Sequence, residues 1–252
     1  MDHEVRHRPS FALLDVMLEE GESITAEAGA LVSHTEGVEI TTSRGKGGFL
    51  KSLKRATVGG ERFFRNTFEA TKDGSVTLAP PLPGDVVHKH LNSETVYVQS
   101  GGYIAADDDM DVDTRWGGAR TFFGGEGLFL LKVTGNGPLF MSSYGAVEER
   151  ELSSGETFVV DTGHVVAFDE GVSWDVRRVG GLKSTLFSGE GLVCEFEGSG
   201  TVWLQTRSQD AFVAWLVPQL PISENNSGNV KFDVGDVGGF FGGRKGGRGG
   251  NI

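Results

Sequence analysis

The sequence is short of cysteine, proline and basic residues, and it has no long apolar run. A single cysteine, Cys194, in 252 residues excludes an intramolecular disulfide framework, because a bridge needs two thiols. No window approaches the roughly 18–20 continuous apolar residues of a membrane-crossing helix. The opening Met1-Asp2-His3-Glu4-Val5-Arg6-His7-Arg8-Pro9 lacks the apolar core of a secretory signal. The expectation is therefore a soluble, cytoplasmic protein, consistent with its lone thiol. Lys and Arg number 23 against 35 Asp and Glu, for a net charge of −12 and a pI of about 4.9. A surface of that sign disfavours nonspecific nucleic-acid binding, and no nucleic-acid partner is expected. Catalytic signatures are missing too. There is no Gly-x-Ser-x-Gly nucleophile elbow and no Gly-x4-Gly-Lys-Ser/Thr phosphate loop.

What the chain has in abundance is glycine, 39 residues against seven prolines. No Gly-x-y period accompanies it, which excludes collagen and leaves turns between many short strands. The run Gly238 to Gly250 is of low complexity and cannot bury enough surface to offset its ordering entropy. Residues 223–252 are accordingly expected to be a disordered tail.

The remaining glycines fall in a pattern that repeats three times. Gly60-Glu61 to Leu78, Gly125-Glu126 to Met141 and Gly189-Glu190 to Leu204 align, with turn glycines at 74, 137 and 200, each 63 positions from the next. Asp73-Gly74 and Asn136-Gly137 are hairpin signals, because tight reversals need positive φ. Each segment is read as strand, tight turn, strand. A second element also recurs. Glu22 to Val32, Glu94 to Ile104 and Glu156 to Val166 each read strand, glycine kink, strand. One such unit is too small to bury a core, so three similar units should pack together. The reading is an all-β domain over 1–222, with three β repeats at roughly 10–80, 81–145 and 146–207 around a pseudo-three-fold axis. A short helix is expected over 208–217, where Ser208 and Asp210 give a cap-like start and Pro218 a stop. A second helical pattern covers Phe49 to Arg55.

With these elements in order, the chain resembles a known family. Leu18-Glu19-Glu20-Gly21-Glu22, Glu27-Ala28-Gly29-Ala30, Gly45-Lys46-Gly47-Gly48-Phe49-Leu50, Val160-Asp161-Thr162-Gly163 and Gly198 to Thr206 are similar to the altered-inheritance-of-mitochondria (mitochondrial biogenesis) family. The resemblance runs over roughly residues 3–220. It implies three repeats similar to those of the tryptophan RNA-binding attenuator protein, a barrel-sandwich hybrid. It brings no established catalytic residues. A mitochondrial relative is linked to inner-membrane organisation. This acidic chain without a presequence does not inherit that location, and what carries over is a membrane-linked role.

Three clusters carry possible chemistry. Arg44, Lys46, Lys51, Lys54, Arg55, Arg62 and Arg65 lie within 22 positions, with Glu61 the only acid among them. Phe49, Leu50 and Leu53 would form one face of a short helix beside Lys51, Lys54 and Arg55. Such a segment suits an anionic membrane surface, through apolar insertion plus charge. A solvated loop pairing with acidic groups of a neighbouring subunit is the structural alternative.

His88-x-His90-x3-Glu94 is similar to the first metal motif of the cupins. Histidines at i and i+2 share a strand face, and imidazole with carboxylate suits Fe, Mn, Ni or Zn. Against this, Glu94 aligns with Glu22 and Glu156 in repeats without a histidine pair, so it also reads as a turn residue. Asp107 to Asp113 would place Asp109, Asp111 and Asp113 on one strand face for calcium, but the loop lacks the central glycine and distal glutamate of an EF-hand.

The expectation is a non-enzymatic binding or scaffold protein without a cofactor. It would be homo-oligomeric, with a protein or an anionic membrane surface as partner, acting at the inner membrane face through Arg44 to Arg65. The alternative is a cupin-like metalloenzyme using His88, His90 and Glu94. An RNA-binding ring would need a basic or aromatic stripe in every repeat, and none is present.

Overall fold

The computed structural model describes residues 1–42, 57–58, 61–62, 65–113, 122–123, 128–178 and 192–220. The first repeat holds β1 (Asp2–Arg6), β2 (Leu13–Leu18), β3 (Ser23–Glu27), β4 (Leu31–His34), β5 (Val38–Thr42), β6 (Thr57–Val58), β7 (Glu61–Arg62), β8 (Arg65–Ala70) and β9 (Gly74–Leu78). The second holds β10 (Val86–Gln99), β11 (Tyr103–Asp107), β12 (Asp111–Asp113), β13 (Phe122–Phe123) and β14 (Leu128–Ser142). The third holds β15 (Val147–Asp161), β16 (Val165–Asp169), β17 (Val172–Arg178) and β18 (Leu192–Gln205). Helix α1 (Gln209–Leu216) follows and passes into a 3-10 turn, Val217–Gln219, where Pro218 ends the α pattern. All strands lie in the unit Met1–Trp215, and Leu216–Ile252 is a second unit.

The fold is all-β with three similar repeats, and the pairing registers prove the similarity residue by residue. In each repeat a short strand pairs with the end of the long glycine-containing segment. Leu31 faces Leu78, Tyr103 faces Met141 and Val165 faces Leu204. One residue then bulges out of register in every copy, Val32, Ile104 and Val166, before pairing resumes at Ser33↔Thr77, Ala105↔Phe140 and Ala167↔Trp203. A bulge kept at one place is a structural feature of the unit, since it bends the strand and re-aims its side chains.

The glycine turns behave differently from the hairpin expectation. β14 runs unbroken from Leu128 to Ser142 through Asn136-Gly137, and β18 runs from Leu192 to Gln205 through Gly198 and Gly200. Gly135, Gly137, Gly198 and Gly200 have φ between 126° and 152°. They bend one strand around a corner and do not reverse it. The corner is crowded: a Cβ on Gly198 would stand 2.6 Å from the Gly171 carbonyl oxygen. In the first repeat the same corner is a break. β8 and β9 belong to different sheets and do not pair with each other.

Two larger sheets result, a four-stranded one ordered β1-β2-β9-β4 and a twelve-stranded one running β15-β18-β16-β10-β14-β11-β3-β8-β5. Strands β12 and β13 join β14, and β17 joins β18, off that path. The sheets are not closed into a barrel. Alternation sets which face is buried. In β2, Leu14, Val16 and Leu18 point into the core at 2% exposure or less, between Leu13, Asp15 and Met17 on the other face.

The apolar interior divides into three clusters, each centred on one repeat and borrowing from a neighbour. The first adds Val86, Ile104, Ala105 and Phe140 of the second repeat, the second adds Val166, Ala167 and Trp203 of the third, and the third adds Leu130 of the second. Burying one such side chain stabilises by about 1.5–3 kcal/mol. No repeat completes its core alone.

Candidate functional site

The repeats meet at two seams, and each carries its own set of polar side-chain contacts. At the first, β11 pairs antiparallel with β3 through Ala105↔Ala26, Ala106↔Thr25 and Asp107↔Ile24. At the second, β16 pairs with β10 through Ala167↔Val98, Phe168↔Tyr97 and Asp169↔Val96. The two registers are identical under the repeat alignment.

Different side chains clamp each seam. At the first, the Thr25 and Thr67 hydroxyls lie 2.8 Å apart, and both donate to Asp108 Oδ1, at 2.5 and 3.3 Å. Tyr103, fully buried, donates its hydroxyl to the Thr25 carbonyl at 3.1 Å. Burial pushes that phenol up to about 12. At the second, the Lys89 ammonium sits 3.2 Å from Asp169 and 5.1 Å from the centre of the Trp203 ring. Asp169 also accepts the Thr201 N–H at 2.9 Å. The joint between the first two repeats carries a further pair. Arg8 grips the buried Asp85 with two hydrogen bonds of 2.7 and 2.9 Å, a bidentate fork suited to guanidinium and carboxylate.

One position along these strands differs instructively. Glu27, Gln99 and Asp161 are equivalent. Burial pushes the Glu27 carboxyl up to about 7. Gln99 is buried, its Nε2 without a hydrogen-bond partner among the described residues, and Asp161 caps the Gly163 N–H at 2.8 Å.

The residues singled out from sequence are placed as follows. Arg44, Lys46, Lys51, Lys54 and Arg55 lie outside the described residues. Arg65, at the end of the same basic run, opens β8 opposite Glu27. His88 and His90 share a face of β10 with ring centres 6.4 Å apart. His88 packs in a tilted arrangement against His3, at 4.3 Å, and Phe140, at 5.2 Å, which also meet each other at 4.9 Å. Burial, then the charges of His3 and His90, hold the His88 imidazole below its ordinary value. Glu94 stands beyond an irregularity in the strand, past Ser93 with its φ of 61°.

The equivalent glutamates close turns: Glu22 accepts the Glu19 N–H at 2.9 Å and Glu156 the Ser153 N–H at 3.1 Å. Among the described residues, no three His, Cys, Asp or Glu side chains converge as a metal-ligand set.

In the aspartate run, Asp109 sits in the turn before β12, so only Asp111 and Asp113 share a strand face. The buried Met110 anchors that turn. Cys194 is fully buried, and its thiol is pushed up to about 12 by burial and then by Asp175.

Sequence reasoning missed His3, Asp85 and the Thr25–Thr67–Asp108 cluster. Asp108 and Thr25 are 83 residues apart, and no local pattern joins them. Among the described residues, no helix is long and apolar enough to cross a membrane.

Known proteins share this plan. An uncharacterized protein of Streptococcus pyogenes serotype M6 is 32% identical over 222 residues, covering 85% of this chain and 89% of its own. The crystal structure of a Streptococcus pyogenes protein superposes with a TM-score of 0.75 at 29% identity, covering 87% of this chain and 99% of that one. A sequence profile matches residues 3–207, from the first strand to the residues just after β18, and so takes in all three repeats and both seams. By that match the chain belongs to the mitochondrial biogenesis AIM24 family.

Proposed function

We propose that this protein is a non-enzymatic scaffold that presents a rigid three-repeat body to an anionic membrane surface or a protein partner, at the inner membrane face. The observation that carries the reading is how its polar groups are used. Thr25, Thr67 and Asp108, Lys89 and Asp169, and Arg8 and Asp85 all join one part of the body to another. Chemistry spent on alignment is the expected design of a presenting surface. The basic segment Arg44 to Arg55 supplies the contact on a chain whose net charge is otherwise −12. Anionic lipid attracts such a segment by about 1 kcal/mol per basic residue near the surface, and salt weakens the attraction.

Flotation with vesicles of neutral and of anionic lipid tests this. Wild type should bind anionic vesicles and release with salt, and Lys51→Glu, Lys54→Glu, Arg55→Glu together should abolish binding. Unchanged binding by the triple variant overturns the membrane assignment.

A metalloenzyme remains the second reading because His88 and His90 share one strand face. Elemental analysis of untagged protein, purified without chelator or nickel resin, decides it. About one Fe, Mn, Ni or Zn per chain, lost in His88→Ala, establishes that reading, and no bound metal removes it.

A further inference from the structure

The two seams define a third whose two halves are unpaired among the described residues. In the second and third repeats, the strand with the conserved bulge lies between two partners: β11 between β14 and β3, β16 between β18 and β10. Its counterpart in the first repeat, β4, pairs among the described residues with β9 alone. The other side of each seam is likewise doubly paired. β3 lies between β8 and β11, and Val96–Val98 of β10 pair with both β14 and β16. The counterpart in the third repeat, Phe158–Val160 of β15, pairs among the described residues with β18 alone. Among the described residues one half-seam is thus left open in the first repeat and one in the third.

Exposure tells the same story. Ile104 and Val166, at the bulge of the filled seams, are 1% and 0% exposed, and Val32 in the same place is 55% exposed. Thr25 is 2% exposed and its equivalent Val159 is 46% exposed. Both open positions carry valine, a residue with no affinity for water.

The edges also lack the usual protection. Soluble proteins blunt a free edge with charge or proline. β1 follows that rule with Asp2, Glu4 and Arg6. Leu31–His34 and Thr157-Phe158-Val159-Val160 contain no Asp, Glu, Lys, Arg or Pro. The outer strands β5, β12 and β17 are edges in all three repeats, whereas β4 and the end of β15 are edges where their counterparts are paired on both sides.

We propose that β15 of one copy pairs antiparallel with β4 of the next, in the register of the two existing seams: Val160 opposite Ser33, Val159 opposite His34 and Phe158 opposite Thr35. The partner is a second copy of this chain. The contact is head-to-tail, because the two half-seams are different surfaces. Such a contact builds a ring if the rotation closes and a filament if it does not. The scaffold's purpose here rests on the reading above, whereas the pairing rests on strand geometry.

Light scattering on the full chain gives the first test. Wild type should have a mass of two or more times 26.9 kDa. Val159→Lys and Val32→Lys should each reduce it to one chain, with unchanged circular dichroism because both side chains are exposed. The second test does not depend on those variants folding. Cα atoms opposed across antiparallel strands lie about 4.5–5.5 Å apart, within disulfide reach. His34→Cys and Val159→Cys proteins, mixed under mild oxidation, should form an interchain disulfide. Neither should do so alone, and Glu36→Cys mixed with Val159→Cys should not.

A monomeric wild type overturns the proposal. An oligomer unmoved by both lysine variants, with no cross-link in the mixture, overturns it as well. Vesicle binding by the monomeric Val159→Lys protein keeps the scaffold reading separate from the pairing. If wild type is monomeric yet binds anionic vesicles, the pairing falls and the membrane role stands.

Discussion

The two seams hold equivalent strands in one register with unlike side chains. The first is built from alanines and a hydroxyl–carboxylate cluster. The second uses the Tyr97–Phe168 aromatic pair, with ring centres 5.2 Å apart, and a lysine held between Asp169 and Trp203. Backbone pairing and the shared bulge therefore define how repeats join, and the side chains only have to fill the space and satisfy one another. A module that tolerates such exchange can diverge at its surface without losing its arrangement.

Substitutions can break each seam separately. The largest effect belongs to Phe168→Ala. This ring is 0% exposed and packs on Tyr97, Trp174 and Phe196. Its removal should cost about 3–5 kcal/mol, read as a lower denaturant midpoint, with the third repeat losing protection first in hydrogen exchange.

Next is Glu27→Gln, which imports the residue the second repeat already has. The Glu27 carboxyl is held near 7 in the folded chain against an ordinary 4.5, so its ionisation opposes folding. The penalty is absent below the ordinary value, grows as pH rises from there to about 7 and is constant above. The substitution should therefore stabilise by about 1–2 kcal/mol at pH 8 and by nothing at pH 4. A gain of equal size at both pH values would refute the burial argument.

Asp108→Ala removes the acceptor that Thr25 and Thr67 share, and should destabilise the first seam by about 1 kcal/mol. Adding Thr25→Val and Thr67→Val should recover part of that loss in thermal melts.

Lys89→Met is the mildest. Its ion pair is partly exposed, so the change should stay below about 1 kcal/mol and vanish at high salt. A larger effect would mean the second seam depends on its clamp more than the first does.

How much of this was legible depends on how local each signal is. The repeats were readable because the corner glycines recur at a constant 63-residue interval, and a glutamate opens each copy of the second element. The helix was readable because Ser208 and Pro218 bracket it. The continuity of β14 and β18 was not, because a glycine of positive φ serves a hairpin and a strand corner alike. The seam clusters escaped for another reason. Thr25 and Asp108 carry no message until the register brings them together. The His88–His90 face was legible from period-two alternation. A further ring of that cluster, His3, comes from a strand 85 positions earlier.

Cys194 turns its burial in the third cluster into a clock. A thiol enclosed by Val160, Phe168 and Phe196 cannot meet a labelling reagent while that cluster is shut. Every modification event thus records one opening of the third repeat. With excess reagent the labelling rate becomes the opening rate itself, and with sparing reagent it gives the fraction of time spent open. Because this is the chain's single cysteine, the signal has no background. The unmodified protein can thus report whether its last repeat breathes independently of the other two.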